Sequence, residues 1–430
     1  MTTYLLCSTP AHGHVTPLLT IARGLVGDGA RVVFLTSPRY ADRVRATGAE
    51  FAALPADADV DLDDAGSVPG RAGLTGPAAI RFDMLHLFLR PGESQFAALR
   101  GLIDAHRPDA ILTEPLFVGA ALLAQTPAAG RPPVIALGIL PLGVTSRDTA
   151  PFGLGIPPRA GAVGRMRNAA LSVVAQRIVF GPVRKEADAV ARRAVGVPFS
   201  RFFLDWHSGA DAIVQFTVPA FEYPRSDLSD RVVFAGPLLP SPGAEHPLPD
   251  WWGDLDAGRP VVHVTQGTVA NADPSLLLRP ALEALAGLDV LAVVSTGGRA
   301  VETLGPLPSN ARAAEYLPYG ALLPRTAVMV TNGGYGGVQQ ALSHGIPLVV
   351  AGQTEDKIEV SARVGWAGVG VNLRTNTPRP AQVRDAVEKV LSEASFRTAT
   401  RHQAELMTAA DPLATLRAVL ARVTASAAVG

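Results

Sequence analysis

The sequence predicts an α/β protein with two doubly wound domains, one in each half of the chain. Short apolar runs, typical of buried parallel strands, alternate with stretches that have the apolar periodicity of helices. This alternation occurs both before and after a segment at 234–260 that is rich in Pro and Gly. A length of 430 residues also exceeds what one ordinary hydrophobic core contains. We therefore place a first domain at 1–235, a linker at 236–260, a second domain at 261–410 and a terminal helix at 411–430.

The first series of elements begins with an apolar strand at 4–7 and a loop at 8–15. Thr16 and Pro17 then supply an N-cap and a first-turn residue for a helix. The next strand, at 31–36, ends without the acidic residue that binds a ribose diol, so a nicotinamide site is disfavoured. The remaining elements are predicted as strand 51–54, helix 94–106, strand 109–113, helix 117–124, strand 134–138 and a long loop at 140–159.

The second series begins with a strand at 261–265 that ends in the turn Gln266-Gly267-Thr268. Its later elements are predicted as helix 274–285, strands 290–295, 313–317 and 327–331, helix 338–344, strand 348–351 and closing helices at 380–391, 395–409 and 412–423. Two successive series of this kind indicate two separate parallel sheets.

A glycine-rich turn at 332–337 lies between a buried strand and a helix, and a further strand follows it. The backbone N–H groups of such a turn, with the positive end of the helix, can hold a phosphate. Asp356 follows the next strand on the same edge of the sheet, where its carboxylate can accept sugar hydroxyls. These features indicate a nucleotide-sugar pocket, although the glycine-rich turn alone is equally typical of a plain tight turn.

Two residues of the first domain have the chemistry of a general base. His14 and Glu114 both follow predicted strands, at the edge where open α/β sheets bind ligands. A carboxylate fixes the tautomer of a histidine and stabilises the imidazolium that forms when the ring takes a proton. In the alternative interpretation, loop carbonyls satisfy His14 and Glu114 caps the next helix. His12 is a competing base.

Composition excludes several classes of function. The formal net charge is zero, without the basic excess of a nucleic-acid-binding protein. The single cysteine, Cys7, excludes an internal disulfide and fits the reducing cytoplasm, and we expect it to be inert core. Neither a signal peptide nor a membrane-spanning run is visible. Arginines interrupt the apolar helical segment 160–183, which we expect to pack on its own domain rather than on a membrane surface.

Aspartates that alternate through 57–64 suggest a metal site at first sight. A calcium loop of this type requires glycine at its sixth position and glutamate at its twelfth, where the sequence has Leu62 and Val68. We therefore predict a solvated loop here and no metal site in the protein.

The segments PAHGHVTPLLTIARGL and TNGGYGGVQQALSHGIPLVVAGQTEDK, together with the two-domain layout, resemble the GT-B glycosyltransferases of family 1. The resemblance spans nearly the whole chain. It implies two Rossmann-like domains that face a central cleft, with C-terminal helices that pack back towards the first domain. It also implies inverting, metal-independent transfer from a nucleotide diphosphate sugar to a small, apolar acceptor such as a natural product. The sugar donor would be a co-substrate, without a bound cofactor, and the enzyme a monomer or homodimer.

The resemblance assigns the catalytic base to His14 and the supporting carboxylate to Glu114, where the family usually has aspartate. We expect acceptor contacts from the first domain, although the same apolar residues could equally be core. The candidates are Met84, Phe88, Phe117 and Phe152.

The diphosphate of the donor is bound in this family by an HGGxGS turn. The corresponding residues here are Asn332, Gly333, Gly334, Tyr335, Gly336 and Gly337. Asn332 cannot carry the positive charge of a histidine, and Gly337 lacks the serine hydroxyl. The resemblance therefore implies that diphosphate binding depends more on backbone N–H groups and on Thr268.

The nucleoside is assigned to three residues of the second domain. The ring of Tyr316 would stack on the base and the backbone of Leu317 would contact it, while Tyr319 stands where glutamine is usual. Gln340 replaces the glutamate that binds both ribose hydroxyls in uridine-nucleotide enzymes. Either a UDP- or a dTDP-sugar is therefore expected.

Sugar hydroxyls are assigned to Asp356 and Lys357. Lys357 replaces the glutamine of the family, so the identity of the sugar is open, and its charge could instead reach a phosphate or an acidic group. Two rival functions remain. One is a sugar-nucleotide epimerase of the same architecture, and the other is a non-catalytic binding partner that has kept the pocket.

Overall fold

The computed structural model describes residues 1–62, 68–74, 76–239, 247–268 and 271–429. Residues 240–246 of the predicted linker and residues 63–67, which include the last two aspartates of the alternating run, lie outside the described residues.

A parallel sheet forms the framework of the first half of the chain. Its strands are β1 (Thr3–Cys7), β2 (Arg31–Thr36), β3 (Glu50–Ala53), β4 (Ala110–Thr113), β5 (Val134–Gly138), β6 (Ala212–Gln215) and β7 (Val232–Phe234). They lie in the order β3-β2-β1-β4-β5-β6-β7. The strand order reverses between β1 and β4, and in doubly wound folds such a switch point opens a ligand crevice at the carboxyl ends of the strands.

A second parallel sheet repeats this arrangement in the other half. Its strands are β8 (Val261–Thr265), β9 (Leu291–Ser295), β10 (Ala311–Ala314), β11 (Thr326–Thr331), β12 (Leu348–Val350) and β13 (Gly370–Asn372). They lie in the order β10-β9-β8-β11-β12-β13, so the switch point falls between β8 and β11. The predicted α/β class with two Rossmann-like sheets is confirmed.

Helices cover both faces of each sheet. They are α1 (His12–Gly27), α2 (Ala41–Arg45), α3 (Gly76–Asp83), α4 (Gly92–His106), α5 (Val118–Leu123), α6 (Gly161–Val173), α7 (Gly181–Val195), α8 (Leu278–Leu285), α9 (Tyr319–Leu322), α10 (Tyr335–Ser343), α11 (Lys357–Trp366), α12 (Pro380–Ser392), α13 (Ala394–Thr408) and α14 (Pro412–Val429). Short π-helical segments, Met84–Leu89 and Val174–Val179, continue α3 and α6.

Apolar layers on both faces explain why the strands read as nearly continuous hydrophobic runs. The first sheet packs against α4, α5 and α7 on one face and against α1 and α14 on the other. The second sheet packs against α8 and α12 on one face and against α10, α11 and α13 on the other.

The C-terminal helix α14 returns to the first domain. Leu416, Val419 and Leu420 are buried in the same core as α1. Arg417 also forms an exposed ion pair with Asp28, at the end of α1, with Nη2 3.0 Å from Oδ1. The predicted return of the C-terminal helices is confirmed for α14, whereas α13 packs in the core of the second sheet.

Helix α6 packs on its own domain by a narrow inner face. Gly164 and Asn168 are buried, and the Asn168 amide donates to the carbonyl of Arg147 at 3.0 Å. Its outer face exposes apolar side chains, among them Met166 at 65% and, in the π-helical continuation, Ile178 at 67%. Among the described residues, no helix combines the length and the apolarity needed to cross a bilayer.

Candidate active site

His14 lies in the first turn of α1 and not in the loop that the sequence predicts. The helix begins early because the carbonyl of Ala11 accepts the N–H groups of His14 and Val15, at 3.0 and 2.9 Å. Pro17 therefore stands inside the helix, where its missing N–H leaves one carbonyl without the usual donor. The predicted helix start at Thr16 is wrong. As a consequence, the backbone that carries the imidazole is helical and well defined.

The imidazole of His14 contacts the carboxylate of Glu114, which follows β4 across the switch point. Nδ1 lies 2.9 Å from Oε2, and Oε2 also accepts the N–H of Leu116 at 2.7 Å. Oε1 accepts the N–H and the hydroxyl of Thr9, at 3.0 and 2.8 Å. Because a carboxylate only accepts, Nδ1 carries the proton in this contact and Nε2 carries the lone pair that a general base uses.

The Glu114 carboxylate is fully buried yet stays ionised. Burial alone raises its pKa, but the charge of His14 and the hydrogen bonds from His14, Leu116 and Thr9 outweigh that effect. The net result lowers the pKa below the ordinary value of 4.5. The carboxylate is therefore charged at neutral pH, as an orienting group for a base must be. The adjacent Cys7 thiol is inert, because burial and then the charge of Glu114 raise its pKa.

His12, the competing base, lies in the same helical turn but has different neighbours. Its Nδ1 lies 3.4 Å from Nη1 of Arg43. Both oxygens of Glu114 are already engaged by His14 and by the groups of Thr9 and Leu116. The geometry therefore favours His14 as the histidine that the carboxylate supports.

Asp356 of the second domain, predicted to bind sugar hydroxyls, lies directly before α11. Burial is the largest influence on its carboxyl and raises the pKa; Lys357 lowers it, Glu355 raises it and His14 lowers it. The charge of His14 is one of the smaller influences on the pKa of Asp356, so the candidate base lies within electrostatic range of the predicted sugar-binding acid. The ammonium group of Lys357 is buried and forms an ion pair with the carboxylate of Glu355.

Asn332 joins the two turns at the switch point of the second sheet. Its Nδ2 donates to the carbonyl of Gln266, after β8, at 2.5 Å. Its Oδ1 accepts the N–H of Gly334, directly before α10, at 3.3 Å. The buried amide therefore holds the glycine turn in shape and commits one of its hydrogens to backbone. Thr268 lies exposed beside this turn, at the last described residue before 271.

Helix α10 begins at Tyr335, three residues before the predicted start at Val338. Its first closing hydrogen bond runs from the N–H of Val338 to the carbonyl of Gly334, at 3.0 Å. The predicted start is therefore wrong, and Gly336 and Gly337 belong to the first turn, whose N–H groups have no partner within the helix. Among the described residues, a Cβ added at Gly336 would meet no atom within 4 Å, so this position of the turn faces open space.

The predicted nucleoside contacts lie at different depths. The Tyr316 ring is 43% exposed, and its hydroxyl packs against Gly298, in the turn after β9. The Leu317 side chain is buried in a core below it, and Gln340 is half-buried on α10. Tyr319 belongs to the interior, where its hydroxyl contacts a buried histidine, His263. The Tyr316 ring is therefore accessible, whereas the Tyr319 hydroxyl is engaged by His263.

The four candidate acceptor contacts also differ. Phe117 is fully buried in the core of the first sheet and has no exposed surface with which to contact an acceptor. Met84 and Phe88 lie on the π-helical segment and are half-buried against that core. Phe152, in the loop after β5, is 38% exposed. Of this group, Phe152 presents the most accessible ring.

Comparison with known proteins decides the family. Residues 279–419 match the family model described as erythromycin biosynthesis protein CIII-like, C-terminal domain. The chain is 41% identical over 401 residues to 4'-demethylrebeccamycin synthase of Lentzea aerocolonigenes, covering 91% of this chain and 92% of that protein. The chain belongs to the family 1 glycosyltransferases. It is also 36% identical over 420 residues to UDP-glycosyltransferase 2 of Phaeomoniella chlamydospora, covering 91% and 89% of the two chains.

The architecture of this glycosyltransferase agrees with that family. The solved structure of the glycosyltransferase VinC in complex with dTDP superposes with a TM-score of 0.68 at 19% identity, covering 99% of this chain and 100% of VinC. Similarity at this level shows the fold, which is GT-B as the sequence predicts.

Sequence reasoning missed a segment between β6 and β7 that packs on the second domain. Its Val218 and Phe221 are buried in the core with α10 and α13, before the chain returns to the first sheet as β7. Thr217 accepts a hydrogen bond from Nε2 of Gln339 on α10, at 2.7 Å. The apolar pattern of this segment is too short to show which sheet it packs against.

A buried ionic cluster at the same junction was also missed. Arg363 of α11 pairs with Glu222 through Nη2 and Oε2 at 2.9 Å, and with Glu359 through Nη1 and Oε2 at 2.8 Å. Burial on its own lowers the pKa of the Arg363 guanidinium, but the two carboxylates raise it and prevail. In sequence, Glu359 and Arg363 are four residues apart, which is the spacing of an ordinary exposed helical ion pair.

His263 of β8 shows that Tyr319 has a structural role in this glycosyltransferase. Its Nδ1 lies 2.9 Å from the carbonyl of Val293, which only accepts, so Nδ1 carries the proton. Nε2 then accepts the Tyr319 hydroxyl at 2.9 Å. Burial lowers the pKa of His263 to about 4, against the opposing effect of the bond to Val293.

We expect His263 to make stability dependent on pH. An unfolded chain binds a proton at this residue near pH 6.5 and the folded chain near pH 4, so the free energy of unfolding falls as the pH drops between these values. The loss should reach about 3 kcal/mol. Urea unfolding at pH 7, 5.5 and 4 would show it as a steeper decline in the wild type than in His263→Gln. His402→Gln, at an exposed site, is the control, and equal slopes in all three proteins would contradict the assignment.

Within the described ranges, no group of three or more His, Cys, Asp or Glu side chains is arranged to hold a metal ion. The predicted diphosphate residues Gly336 and Gly337 lie in the first turn of α10, and Thr268 is exposed.

Proposed function

We propose that this glycosyltransferase moves a sugar, with inversion, from a UDP- or dTDP-sugar to a hydroxyl of a small apolar acceptor of the natural-product type. One observation carries the proposal. His14, at the carboxyl edge of the first sheet, is oriented by the buried Glu114 carboxylate, whose Oε2 lies 2.9 Å from its Nδ1. The names of the two relatives, a rebeccamycin-type synthase and a UDP-glycosyltransferase, agree with this substrate class.

His14 is the general base of the proposed reaction. Its Nε2 takes the proton of the acceptor hydroxyl while the hydroxyl oxygen attacks the anomeric carbon. The bond from that carbon to the diphosphate breaks on the opposite face, so a single displacement inverts the configuration. The imidazolium that forms is stabilised by Glu114, which already accepts from Nδ1.

The departing nucleoside diphosphate requires stabilisation at the second sheet. We assign this to the N–H groups of the first turn of α10, at Gly336 and Gly337, and to Thr268. The Asn332 amide supports them by holding the turn, with a secondary part in binding phosphate directly. Asp356 is assigned to the sugar hydroxyls, and Lys357 acts chiefly by neutralising Glu355.

The nucleoside is assigned to Tyr316, Leu317 and Gln340. A carboxylate can accept from both hydroxyls of the UDP ribose, whereas the amide oxygen of Gln340 serves one hydroxyl. The deoxyribose of dTDP has only one hydroxyl, so dTDP is as good a candidate as UDP. The complex of VinC with dTDP supports the second possibility. Calorimetric titration of UDP against dTDP distinguishes them, and Gln340→Glu should shift the preference towards UDP if this residue faces the ribose.

The decisive experiment incubates the enzyme with UDP-glucose or dTDP-glucose, alone and with a panel of phenolic aglycones. Mass spectrometry should detect a glucosylated aglycone, and NMR should show the β-anomer from these α-linked donors. A new sugar nucleotide formed from donor alone would indicate an epimerase instead. Tight nucleotide binding without turnover of any aglycone would indicate a non-catalytic binding protein.

Chelation is expected to leave activity unchanged. Charge on the leaving group is neutralised by backbone N–H groups and a helix N-terminus in the proposed mechanism, so a divalent cation has no step to perform. Initial rates after dialysis against EDTA should therefore match the untreated rates within error. A loss that Mg²⁺ restores would contradict this mechanism.

A further inference from the structure

Glu359, in the first turn of α11, holds a loop of the opposite domain. Its Oε1 accepts the N–H groups of Gly153 and Gly155, at 2.8 and 2.9 Å. The Glu359 side chain is almost completely buried, so these bonds are shielded from water. The same loop carries Phe152, the exposed aromatic ring that we assign to the acceptor.

The second oxygen of Glu359 links to the start of the same loop through two further buried side chains. Oε2 accepts Nη1 of Arg363 at 2.8 Å, and Arg363 in turn pairs with Glu222 at 2.9 Å. The other oxygen of Glu222 accepts the N–H of Leu142 at 2.8 Å, where the loop leaves β5. One chain of buried charges therefore holds the loop near both of its ends.

Close packing between the loop and α11 reinforces these bonds. Gly155 has a φ of +58°, and a Cβ added there would lie 2.6 Å from Cγ1 of Ile358. A cavity of about 300 Å³ lies beside this contact, between Leu154 of the loop and Arg374 of the second domain. Asp356 lies one turn of chain before Glu359, so any movement of the helix start affects the donor side and the loop together.

We propose that Glu359 is a positioning residue, which ties the acceptor-side loop to the helix start that carries the donor-binding Asp356. It orients the acceptor relative to the donor without touching either reacting atom. The roles of Phe152 and Asp356 in this inference rest on the proposed function, whereas the contact between the loop and α11 does not.

The test is the substitution Glu359→Gln. A glutamine of the same size keeps one acceptor oxygen, but its NH₂ group then faces N–H donors of either Arg363 or the loop. Hydrogen exchange measured on a peptide that spans residues 150–157 should speed up on the order of tenfold in the variant. This measurement requires no acceptor, and the peptide includes the N–H groups of both Gly153 and Gly155.

Kinetics separate positioning from a general loss of structure. For an aglycone that the wild type glucosylates, we expect KM for the acceptor to rise on the order of tenfold in Glu359→Gln, with the Kd for UDP and dTDP within about twofold. Asp211→Asn is the matched control, because that carboxylate also accepts from an arginine, Arg131, and from a backbone N–H, that of Val134. It lies at the amino end of β5, whereas the loop of Phe152 follows the carboxyl end. This variant should leave both constants unchanged.

A second variant approaches the same contact from the loop. Gly155→Ala places a methyl group against Ile358 and should raise the acceptor KM and the exchange rate as Glu359→Gln does, even if the latter fails to fold. Unchanged exchange in both variants, or nucleotide affinities that weaken in parallel with the acceptor KM, would overturn the proposal. A wild type that glycosylates no acceptor refutes the proposed function instead, and the exchange experiment then still decides the contact.

Discussion

Replacing His14 with alanine is expected to lower kcat by about 10²–10⁴, with little change in nucleotide affinity. The substitution removes the group that takes the proton of the acceptor hydroxyl, so a neutral hydroxyl has to attack the anomeric carbon. The diphosphate site that we propose is the turn between β11 and α10 of the second domain, so nucleotide binding should not depend on the imidazole. Rates at saturating acceptor and calorimetric Kd values for UDP and dTDP would measure the two effects separately.

His12→Ala is the matched control for this experiment. His12 lies in the same helical turn, but its Nδ1 lies near Arg43, whereas both oxygens of Glu114 are engaged by other groups. We expect its kcat to stay within about twofold of the wild type, since no proton transfer is assigned to it. Comparable turnover in His14→Ala and wild type would remove His14 from the mechanism. A large loss in His12→Ala alone would assign the base to His12.

Strands were the part of the fold most readily predicted from sequence. β2, β5 and β8 have the bounds that their apolar runs indicate, because strands buried on both faces leave no polar positions within them. The strands β6 and β7 were not identified. β7 comprises only Val232–Phe234, and so short an apolar run has no periodicity to recognise.

Helix starts were less predictable: α8 begins at Leu278 and not at 274, and two further errors lie at the site. Thr16-Pro17 has the residue types of a helix start, yet the carbonyl of Ala11 begins the helix a turn earlier. Likewise, Gly336 and Gly337 were predicted to lie before α10, because glycine is unfavourable inside helices. Both belong to its first turn, where Gly336 faces open space and Gly337 faces the buried side chain of Met329.

Contacts between distant segments could be predicted where both residues follow strands at the switch point, and the resemblance then assigned the same pair. The pair His14–Glu114 followed from two strand ends that meet at a switch point. Phe117 follows the same strand, but nothing in sequence distinguishes a ring that enters the core from one that faces the cleft. Glu359 and Arg363 had the spacing of a surface pair, and their burial depends on Glu222, far away in the chain.

That buried cluster leads to the second large effect, which concerns stability. Arg363→Met is expected to lower the free energy of unfolding by about 3–5 kcal/mol, since it leaves the buried Glu359 carboxylate without its counter-ion and Glu222 with only Arg225, 3.7 Å away. Glu222 and Glu359 are at most 5% exposed, so water cannot replace the guanidinium. Urea unfolding followed by far-UV circular dichroism would measure the loss. Arg325→Met, which removes an exposed pair with Asp256, should cost about 1 kcal/mol or less.

The double variant Glu359→Gln/Arg363→Met distinguishes an unpaired charge from lost packing. If the cost of Arg363→Met comes mainly from the unpaired Glu359 carboxylate, neutralising it should restore part of the stability, although each change alone is destabilising. If the guanidinium acts mainly through its packing on the Tyr223 ring, 4.2 Å away, the two losses should add instead. Because Arg363 and Glu222 lie at the junction of the two sheets, a charge effect should lower the stability of both domains together. A loss confined to the second domain would show that α11 is held by its own core and that the cluster does not couple the domains.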